Sequence, residues 1–376
     1  MEKFNVINFH LTNACNYGCI HCFGKFPERQ ELNFKEACAV VDNIWRYFSK
    51  CGVTDGRINL AGGEPLLCPY LDGLIDYINA YGLKVSLITN GSLLSEEKIA
   101  SWKDKVYCIG LSFDSALSET NTAIGRCCNG RTLSVKQAVR ITQAIHRSGI
   151  KLKINTVVSK LNVNEDMTVF LKRLKPDRLK FLQMEIVEGV NDCASKYKIS
   201  EKEFDRFCKK HENCCRNTVC ERAADLENSY LMINPQGEVQ LNNAGKYQTY
   251  GSCLERELYE ILNQIPISGE KFNSRYGVEK KSEIITEKIC IFGGHDTWRK
   301  VVKKRLVNAR FFSDGDLHSL DVVRNADEIW FQSNAISHSF YNKVLDAARL
   351  YGIPVSYFSF AGTGKSLEQI ILKKSL

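Results

Sequence analysis

Short strand-like segments alternate with amphipathic helical segments over the first half of the chain. The strand-like segments are apolar and rich in β-branched residues, and they cover residues 4–10, 57–61, 84–89, 106–113, 152–158 and 178–184. Between them, apolar residues recur at helical spacing in residues 34–49, 69–80, 95–102, 135–147 and 165–174. Strand–helix alternation predicts parallel βα units. Six units predict an α/β fold, a partial (β/α)6 barrel, because a closed barrel needs eight.

Changes in sequence character divide the chain into three predicted domains. Residues 1–189 form the barrel. Residues 190–282 are richer in cysteine and contain one hairpin, with strands at 229–234 and 238–242 around a Pro-Gly turn. We predict that they form a cap over the barrel. Residues 283–376 are predicted to form a small, Rossmann-like α/β domain, with strands at 288–292, 328–332 and 354–359 and helices at 295–307 and 338–351.

The composition is that of a folded intracellular protein. Apolar residues make up 44% and charged residues 25%, and no run approaches the roughly 18 apolar residues of a membrane span. The N-terminal residues lack the apolar segment of a secretory signal. We therefore expect a cytoplasmic chain whose 16 cysteines are mostly free thiols. Residues 283–376 carry 13 Lys and Arg against 10 Asp and Glu, which argues against a nucleic-acid partner.

Three cysteines follow the first predicted strand with the spacing C-x-x-x-C-x-x-C. They are Cys15, Cys19 and Cys22. A cysteine cluster in an intracellular chain indicates a metal site or catalysis. Three thiolates can hold three irons of a four-iron cluster and leave the fourth iron open. The alternatives are scattered core thiols, or a zinc site with His21 as the fourth ligand.

A second motif, Gly-Gly-Glu-Pro, begins at Gly62 and follows the second predicted strand. Its two glycines, Gly62 and Gly63, would let the backbone approach a ligand closely, and Glu64 offers an acceptor for a cation. A plain strand-to-helix turn would also use glycine and proline. Both motifs lie where parallel strands end, which is where barrel proteins build their sites.

Together the two motifs resemble those of the radical S-adenosylmethionine (radical SAM) superfamily. Over residues 5–278 the chain is similar to viperin and its prokaryotic relatives. The matching segments, in the same order and at near-equal spacing, are residues 8–10, 59–65, 89–93, 112–126, 153–155, 162–167, 188–189, 229–231 and 241–242.

The resemblance implies a nucleotide dehydratase with one 4Fe–4S cluster and SAM as cofactors. It implies that a 5′-deoxyadenosyl radical removes the ribose 4′-hydrogen of a ribonucleoside triphosphate, CTP, UTP or GTP. Loss of the 3′-hydroxyl as water would then leave a 3′-deoxy-3′,4′-didehydro nucleotide that terminates viral RNA. The implied setting is antiviral defence, with a flavodoxin- or ferredoxin-type electron donor. The membrane-binding N-terminal helix of animal viperin has no counterpart in this sequence, so we expect no membrane partner. We expect a monomer.

The resemblance also assigns roles to individual residues of this chain. The residues implied to hold the cluster are Cys15, Cys19 and Cys22. The residues implied to contact SAM are Gly62, Gly63, Glu64, Ser112 and Arg126. The residues implied to contact the nucleotide are Asn8, Asn90, Lys153, Arg178, Lys180 and Arg275. The residues implied to act in catalysis, as donors near the departing hydroxyl, are Tyr230 and Lys180.

Each of these assignments has a simpler alternative. Lysine and arginine are usually solvated surface charges, and Tyr230 could be an ordinary aromatic residue on a strand. We expect His10 to be a core-facing histidine rather than a ligand, and Lys246 is a weaker candidate for a phosphate contact. Viperin ends its cap with Arg-Gly-Gly-x-Tyr, whereas residues 274–277 read Ser-Arg-Tyr-Gly, so the match around Arg275 is incomplete.

Residues 283–376 resemble a small α/β domain family of unknown function. The resemblance rests on Gly293-Gly294-His295 and on residues 334–338. The helix that follows the second segment could bind an anion at its N-terminus, or Ser337 could simply cap it. Residues 361–366 imitate the end of a P-loop but lack the motif's first glycine.

Two other functions remain open on the sequence. A radical peptide maturase would need auxiliary cluster ligands in the cap, usually as C-x-x-C pairs, and residues 190–282 contain none. We expect Cys214, Cys215, Cys220 and Cys253 not to hold a second cluster. A non-catalytic iron–sulfur regulator acting through residues 283–376 would need a concentrated basic face there.

Overall fold

The computed structural model describes residues 3–25, 30–276, 289–303, 309–313, 321–324, 326–332 and 336–358. The chain divides into two compact units, Met1–Gly277 and Val278–Leu376. The segments predicted as barrel and cap therefore belong to one unit. The division falls a few residues before the predicted boundary at 282/283.

The first unit contains the predicted α/β fold. Its first six strands are parallel and adjacent in sequence order: β1 (Val6–His10), β2 (Arg57–Ala61), β3 (Lys84–Thr89), β4 (Cys108–Ser112), β5 (Lys151–Val158) and β6 (Arg178–Gln183). The helices between them are α1 (Phe34–Cys51), α2 (Leu71–Ala80), α3 (Glu96–Ser101), α4 (Ser118–Ile124), α5 (Val135–Arg147) and α6 (Thr168–Leu174). A short 3-10 helix, Pro65–Leu67, follows β2.

The remaining segments of the first unit extend the same sheet at both ends. Strand β7 (Thr218–Glu221) lies beside β6, and β8 (Met232–Ile233) lies beside β1. Strands β9 (Glu238–Asn243) and β10 (Lys246–Ser252) follow β8 at the edge of a ten-stranded sheet. The helices here are α7 (Glu201–His211), α8 (Ala223–Leu226), α9 (Leu258–Leu262) and α10 (Gly269–Tyr276), with 3-10 helices at Asp192–Tyr197 and Glu212–Cys214.

The strands have two chemically different faces. On the outer face, Phe9, Leu60 and Leu87 are fully buried and belong to the apolar core that also contains helix residues. On the inner face the residues are largely polar. Strands β5 and β6 pair Lys153 with Arg178 and, two residues further along each strand, Asn155 with Lys180. Because successive side chains of a strand point to opposite faces, the neighbours of the core residues along each strand face the interior of the barrel.

Local signals explain where the longer helices begin. Helix α1 starts at a capping box in which Asn33 and Glu36 exchange hydrogen bonds, and α5 starts at a capping box formed by Ser134 and Gln137. Helices α4 and α7–α10 and strands β7 and β10 were not predicted from the sequence. Apart from α7, which has 11 residues, most of them charged, these elements span only four to eight residues, too few to show a clear apolar periodicity.

The second unit contains four parallel strands. They are β11 (Ile289–Gly293), β12 (Arg310–Phe312), β13 (Glu328–Gln332) and β14 (Val355–Phe358), in the order β12-β11-β13-β14. The helices are α11 (Asp296–Lys303), α12 (Asp321–Arg324) and α13 (His338–Tyr351). Strand β12 and helix α12 were not predicted.

Two details bear on the motifs identified in this unit. Gly294 has φ +83°, and a Cβ there would lie 2.6 Å from the ring of Trp298, so the glycine lets the tryptophan pack against the turn. Ser337 accepts a hydrogen bond from the backbone N–H of Phe340 (3.3 Å) and caps α13. Residues 334–335 and 361–366 lie outside the described residues.

Among the described residues, none of the helices combines the length and the apolar character needed to cross a bilayer.

Candidate active site

A cavity of about 190 Å³ opens at the ends of the parallel strands in the first unit. The loop after β1 and the inner faces of β2–β7 contribute to its wall. Many of the residues singled out in the sequence line it: Cys15, Cys19, Cys22, Gly62, Gly63, Asn90, Ser112, Arg126, Lys153, Lys180 and Tyr230. Asn8, Glu64 and Arg178 do not line it, and the side chain of Arg275 lies outside the described residues.

The Gly-Gly-Glu segment holds the cysteine loop in place. The N–H of Gly63 donates to the carbonyl of Thr12 (2.6 Å), and the N–H of Glu64 donates to the carbonyl of Ala14 (2.8 Å). A Cβ on Gly63 would lie 2.2 Å from the Ala14 carbonyl oxygen, and Gly62 has φ +150°. The close approach that these glycines permit is therefore to the chain's own cysteine loop.

Glu64 is fully buried behind the cavity wall. Its carboxylate accepts hydrogen bonds from the hydroxyl of Thr89 (2.7 Å) and from the backbone N–H groups of Asn90 (2.8 Å) and Leu66 (3.2 Å). Burial raises the pKa of Glu64, and these hydrogen bonds oppose the rise. The carboxylate thus joins the end of β2 to the end of β3 and orients Asn90, whose amide nitrogen lies 3.9 Å from the Cys15 sulfur.

Arg126 lies against the cysteine loop from the opposite side. It donates to the carboxylate of Asp114 (3.0 Å) and to the backbone carbonyl of Ser112 (2.8 Å), and it lies 3.9 Å from the Cys19 sulfur. Burial alone would raise the pKa of Asp114, but Arg126 and a hydrogen bond from His21 lower it below its ordinary value. The sequence reasoning missed Asp114, although its position just after β4 could have indicated it.

The three cysteines fit an iron–sulfur cluster. Their sulfurs line one cavity and influence one another electrostatically, while no three His, Cys, Asp or Glu groups among the described residues converge to hold a single metal ion. Burial raises the pKa of the Cys19 thiol to about 12, although Arg126 favours the thiolate. Thiolates are the ligands of iron–sulfur clusters, so a cluster bound here would displace the thiol protons.

Basic side chains line the same cavity as the sulfurs. Lys153 and Lys180 line the cavity, and Arg178 lies on the same face of β6 as Lys180. Burial lowers the pKa of Lys153 to about 8, with Cys108 opposing and Arg178 adding to the shift. These cations can hold an anionic ligand through charge-assisted hydrogen bonds.

An acidic residue lies among these cations. Glu221, at the end of β7, lines the cavity and forms an ion pair with Lys180. Both side chains are at least nine-tenths buried. This ion pair could not be predicted from the sequence, because β7 was not predicted. Lys246, the weaker candidate for a phosphate contact, instead pairs with Glu188 (2.8 Å), and both side chains are exposed.

Tyr230 closes the cavity from the side of β8. Its ring packs edge-on against Phe23, with the centroids 5.9 Å apart. The hydroxyl of Tyr247, another residue missed from the sequence, donates to the carbonyl of Phe23 (2.9 Å). Burial raises the pKa of Tyr247, and the nearby Tyr230 and Glu185 add to the rise.

Asn8 and His10 lie on the inner face of β1. Asn8 is fully buried, donates to the carbonyl of Leu231 (2.9 Å) and accepts from the amide of Asn59 (2.7 Å). It therefore fixes the backbone next to Tyr230. His10 lines the cavity, and burial lowers its pKa to about 4, so that it is neutral at physiological pH.

None of the 16 cysteines, all of which lie among the described residues, forms a disulfide bond, as expected from the sequence.

The chain is similar to known proteins along most of the first unit. Residues 9–174 match the family model of the Radical SAM superfamily. The chain is 33% identical to an S-adenosylmethionine-dependent nucleotide dehydratase of Flammeovirga pacifica, over 72% of this chain and 94% of that protein. It is 30% identical to one of Selenomonas ruminantium, over 72% of this chain and 98% of that protein. A nucleotide dehydratase of Danio rerio is 30% identical over 79% of both chains.

Solved structures show the same fold at low identity. The structure of Streptococcus suis SuiB bound to S-adenosylmethionine has a TM-score of 0.56 and 18% identity, over 72% of this chain and 68% of that one. Native anSMEcpe with bound AdoMet has a TM-score of 0.52 and 14% identity, over 92% of this chain and 96% of that one. At these identities the comparison supports the fold alone, and it confirms the predicted radical SAM architecture.

Proposed function

The chain belongs to the S-adenosylmethionine-dependent nucleotide dehydratases of the radical SAM superfamily, and from that premise we propose that it dehydrates a ribonucleoside triphosphate, CTP, UTP or GTP. The product would be the 3′-deoxy-3′,4′-didehydro nucleotide. The cofactors of this family are a 4Fe–4S cluster and SAM. We further propose antiviral chain termination as the biological role.

The observation that carries this proposal is the composition of one cavity. The three cysteines, Lys153, Lys180 and Tyr230 all line it. A triphosphate held at Lys153, with Arg178 paired to it on the next strand, would present its ribose to Lys180, the sulfurs and the tyrosine.

Each residue then has a defined task. When bound, the cluster and SAM supply the 5′-deoxyadenosyl radical that takes the ribose 4′-hydrogen. Cys15, Cys19 and Cys22 would hold the iron. For SAM we propose the Gly-Gly-Glu segment, Ser112 and Arg126, with Glu64 and Arg126 also fixing the cavity wall through their own hydrogen bonds.

Other residues would contact the nucleotide. Lys153 and Arg178 would bind the phosphates, with Arg275 as a further contact, and Asn90 would contact the nucleotide. Asn8 would act through the backbone beside Tyr230, because both its polar atoms are engaged within the protein.

Loss of the 3′-hydroxyl needs one proton and one electron after the 4′-hydrogen has gone. Lys180 would donate the proton that lets the hydroxyl leave as water. Tyr230 would donate a hydrogen bond at the sugar and supply the electron, with its phenol proton passing to solvent. A flavodoxin- or ferredoxin-type donor, a cytoplasmic setting and a monomeric state complete the proposal.

The test is an anaerobic reaction of the reconstituted chain with SAM, dithionite and each of the four ribonucleoside triphosphates. A triphosphate deuterated at the 4′-carbon should transfer its deuterium to 5′-deoxyadenosine, and a product lighter by one water should appear. Cys15→Ala should abolish 5′-deoxyadenosine, while Cys193→Ala, an exposed cysteine, should not. Absence of deuterium transfer from every triphosphate would contradict the proposal.

A further inference from the structure

Glu221 is the one carboxylate among the described residues that line the cavity. It lies in a wall whose other charged members are Arg126, Lys153 and Lys180. A triphosphate that enters this cavity meets a like charge at Glu221. A carboxylate at that place opposes the binding of a triphosphate, so we expect Glu221 to have another role in the reaction.

The sheet brings Glu221 to Lys180 from a distant part of the sequence. Strand β7 is parallel to β6, with Lys180 paired to Val219 and Leu182 paired to Glu221. Glu221 is therefore one inward-facing position closer to the carboxyl ends of the strands than Lys180. Its carboxylate nevertheless reaches the Lys180 ammonium, and the two side chains are only 7% and 5% exposed.

Burial decides what this pair does to the lysine. A lysine taken out of water loses hydration of its charged form, which lowers its pKa, as the structure shows for Lys153 on the next strand. A carboxylate in contact restores the preference for the ammonium. A buried ion pair adds little net stability compared with packed apolar side chains, which favours a role in setting the state of Lys180.

We propose that Glu221 is a positioning residue that keeps Lys180 protonated and aimed at the departing 3′-hydroxyl. The inference rests on the proposed function, because it gives Lys180 its reaction. In the dehydration step the Lys180 proton goes to the leaving oxygen, the C3′–O bond breaks with its electron pair on that oxygen, and water departs. The sugar radical cation that remains takes up the one electron supplied through Tyr230. Glu221 then favours the return of a proton from solvent to the Lys180 amine, because a carboxylate stabilises the ammonium.

Other titratable groups share the environment of Lys180 and must be separated from Glu221. The titratable residues that line the same cavity are His10, Tyr17, His21, Arg126, Lys153, Tyr230 and the three cysteines, and Arg178 lies on the same face of β6. His10 is neutral at physiological pH, and the other cations would lower rather than raise the pKa of a neighbouring amine. Glu221 is therefore the one carboxylate among the described cavity-lining residues that favours the ammonium form of Lys180.

The experiment compares Glu221→Gln and Glu221→Asp with a matched control, Asp205→Asn. Gln keeps the shape of Glu221 and removes its charge, and Asp keeps the charge on a shorter side chain. Asp205 pairs with Arg222 (2.7 Å), the residue after Glu221, and both side chains of that pair are exposed. The control thus removes a carboxylate from the same region without touching the cavity.

We expect Glu221→Gln to lower kcat for dehydrated nucleotide by about 10-fold or more. The KM for triphosphate should stay the same or fall, because an opposing charge is gone. The alkaline limb of kcat should move down by about one pH unit or more, since the buried amine loses its partner. Glu221→Asp should keep the wild-type limb with a smaller loss of kcat, and Asp205→Asn should behave as wild type.

A second measurement reads the amine directly in the full chain without cofactors. NMR titration of the Lys180 side-chain carbon next to the amine, assigned by its loss in Lys180→Arg, should show a lower pKa in Glu221→Gln. An unchanged pKa, or a raised KM with an unmoved pH limb, would overturn the inference. If the wild-type chain dehydrates no triphosphate, the proposed function fails, and the same titration still decides whether Glu221 controls the charge of Lys180.

Discussion

Replacing Gly63 with alanine should destabilise the conformation of the cysteine loop, residues 12–22. The added Cβ would lie 2.2 Å from the Ala14 carbonyl oxygen and 2.6 Å from the Asn13 carbonyl oxygen. An ordinary contact begins near 3.4 Å, so the loop backbone must move away by about 1 Å. These neighbours are backbone atoms that cannot rotate out of the way, and the next residue in the loop is Cys15.

The cost can be worked out from what the displacement disturbs. Overpacking of this kind costs about 1–3 kcal/mol. The hydrogen bonds from Gly63 to Thr12 (2.6 Å) and from Glu64 to Ala14 (2.8 Å) contribute about 0.5–1.5 kcal/mol each. We therefore expect the closed loop to lose about 2–6 kcal/mol, which at 1.4 kcal/mol per factor of ten is at least about 25-fold in its opening equilibrium.

Two assays measure this loss. Hydrogen–deuterium exchange of the amides at residues 63 and 64, in the chain without iron, should be at least about 25-fold faster in the variant. The reconstituted variant should also lose iron to a chelator sooner than wild type. Gly18→Ala is the matched control in the same loop, because nothing lies within 4 Å of a Cβ there. Wild-type exchange and iron retention in Gly63→Ala would refute the reasoning.

Three further predictions concern the cavity wall. Asp114→Asn should destabilise the chain without cofactors by about 3–5 kcal/mol at neutral pH, because it leaves the buried Arg126 without its charged partner. The folded pKa of Asp114 is lowered, so this contribution is present above the unfolded value of about 3.9 and is lost as pH falls through the folded value. Thermal unfolding curves of wild type and variant should therefore converge in acid. For Lys153, whose pKa is lowered to about 8, kcat/KM for the triphosphate should decline above that pH. Lys153→Arg should move this alkaline decline of kcat/KM to higher pH, because arginine stays charged. A decline at the same pH in Lys153→Arg would show that another group causes it. Tyr230→Phe should reduce dehydrated nucleotide by about 10-fold or more and 5′-deoxyadenosine by less, whereas wild-type yields with tight coupling would show that the ring only packs against Phe23.

The βα alternation and the cysteine spacing were enough to predict the core of the fold. Strands β2 and β3 and helices α5 and α13 have the predicted bounds, and the other predicted elements differ by a few residues. Each of these segments carries its own apolar periodicity or capping residues, which is information held locally in the chain. The cysteine triad and Gly-Gly-Glu motif are local as well, and the family they indicated is the family to which the chain belongs.

What the sequence could not determine is how the inward-facing charges are paired. Lys180 was expected to contact the nucleotide and to donate a proton, yet it also forms an ion pair with Glu221, which lies on a strand that was not predicted. Arg126 was expected at SAM, yet its guanidinium is also held by Asp114. Glu64 was expected to face a ligand, yet its oxygens are bonded to β3 and to the turn after β2.

Sequence alone therefore determined the first six strands, most of the helices between them, their order and the cysteine and glycine motifs that follow the strands. The tertiary structure decided which charged groups neutralise one another and which remain available to a ligand. The physical reason is that periodicity and capping act within a few residues along the chain, whereas an ion pair depends on the strand register and on burial. Both are set only when distant segments, such as β6 and β7, pack side by side.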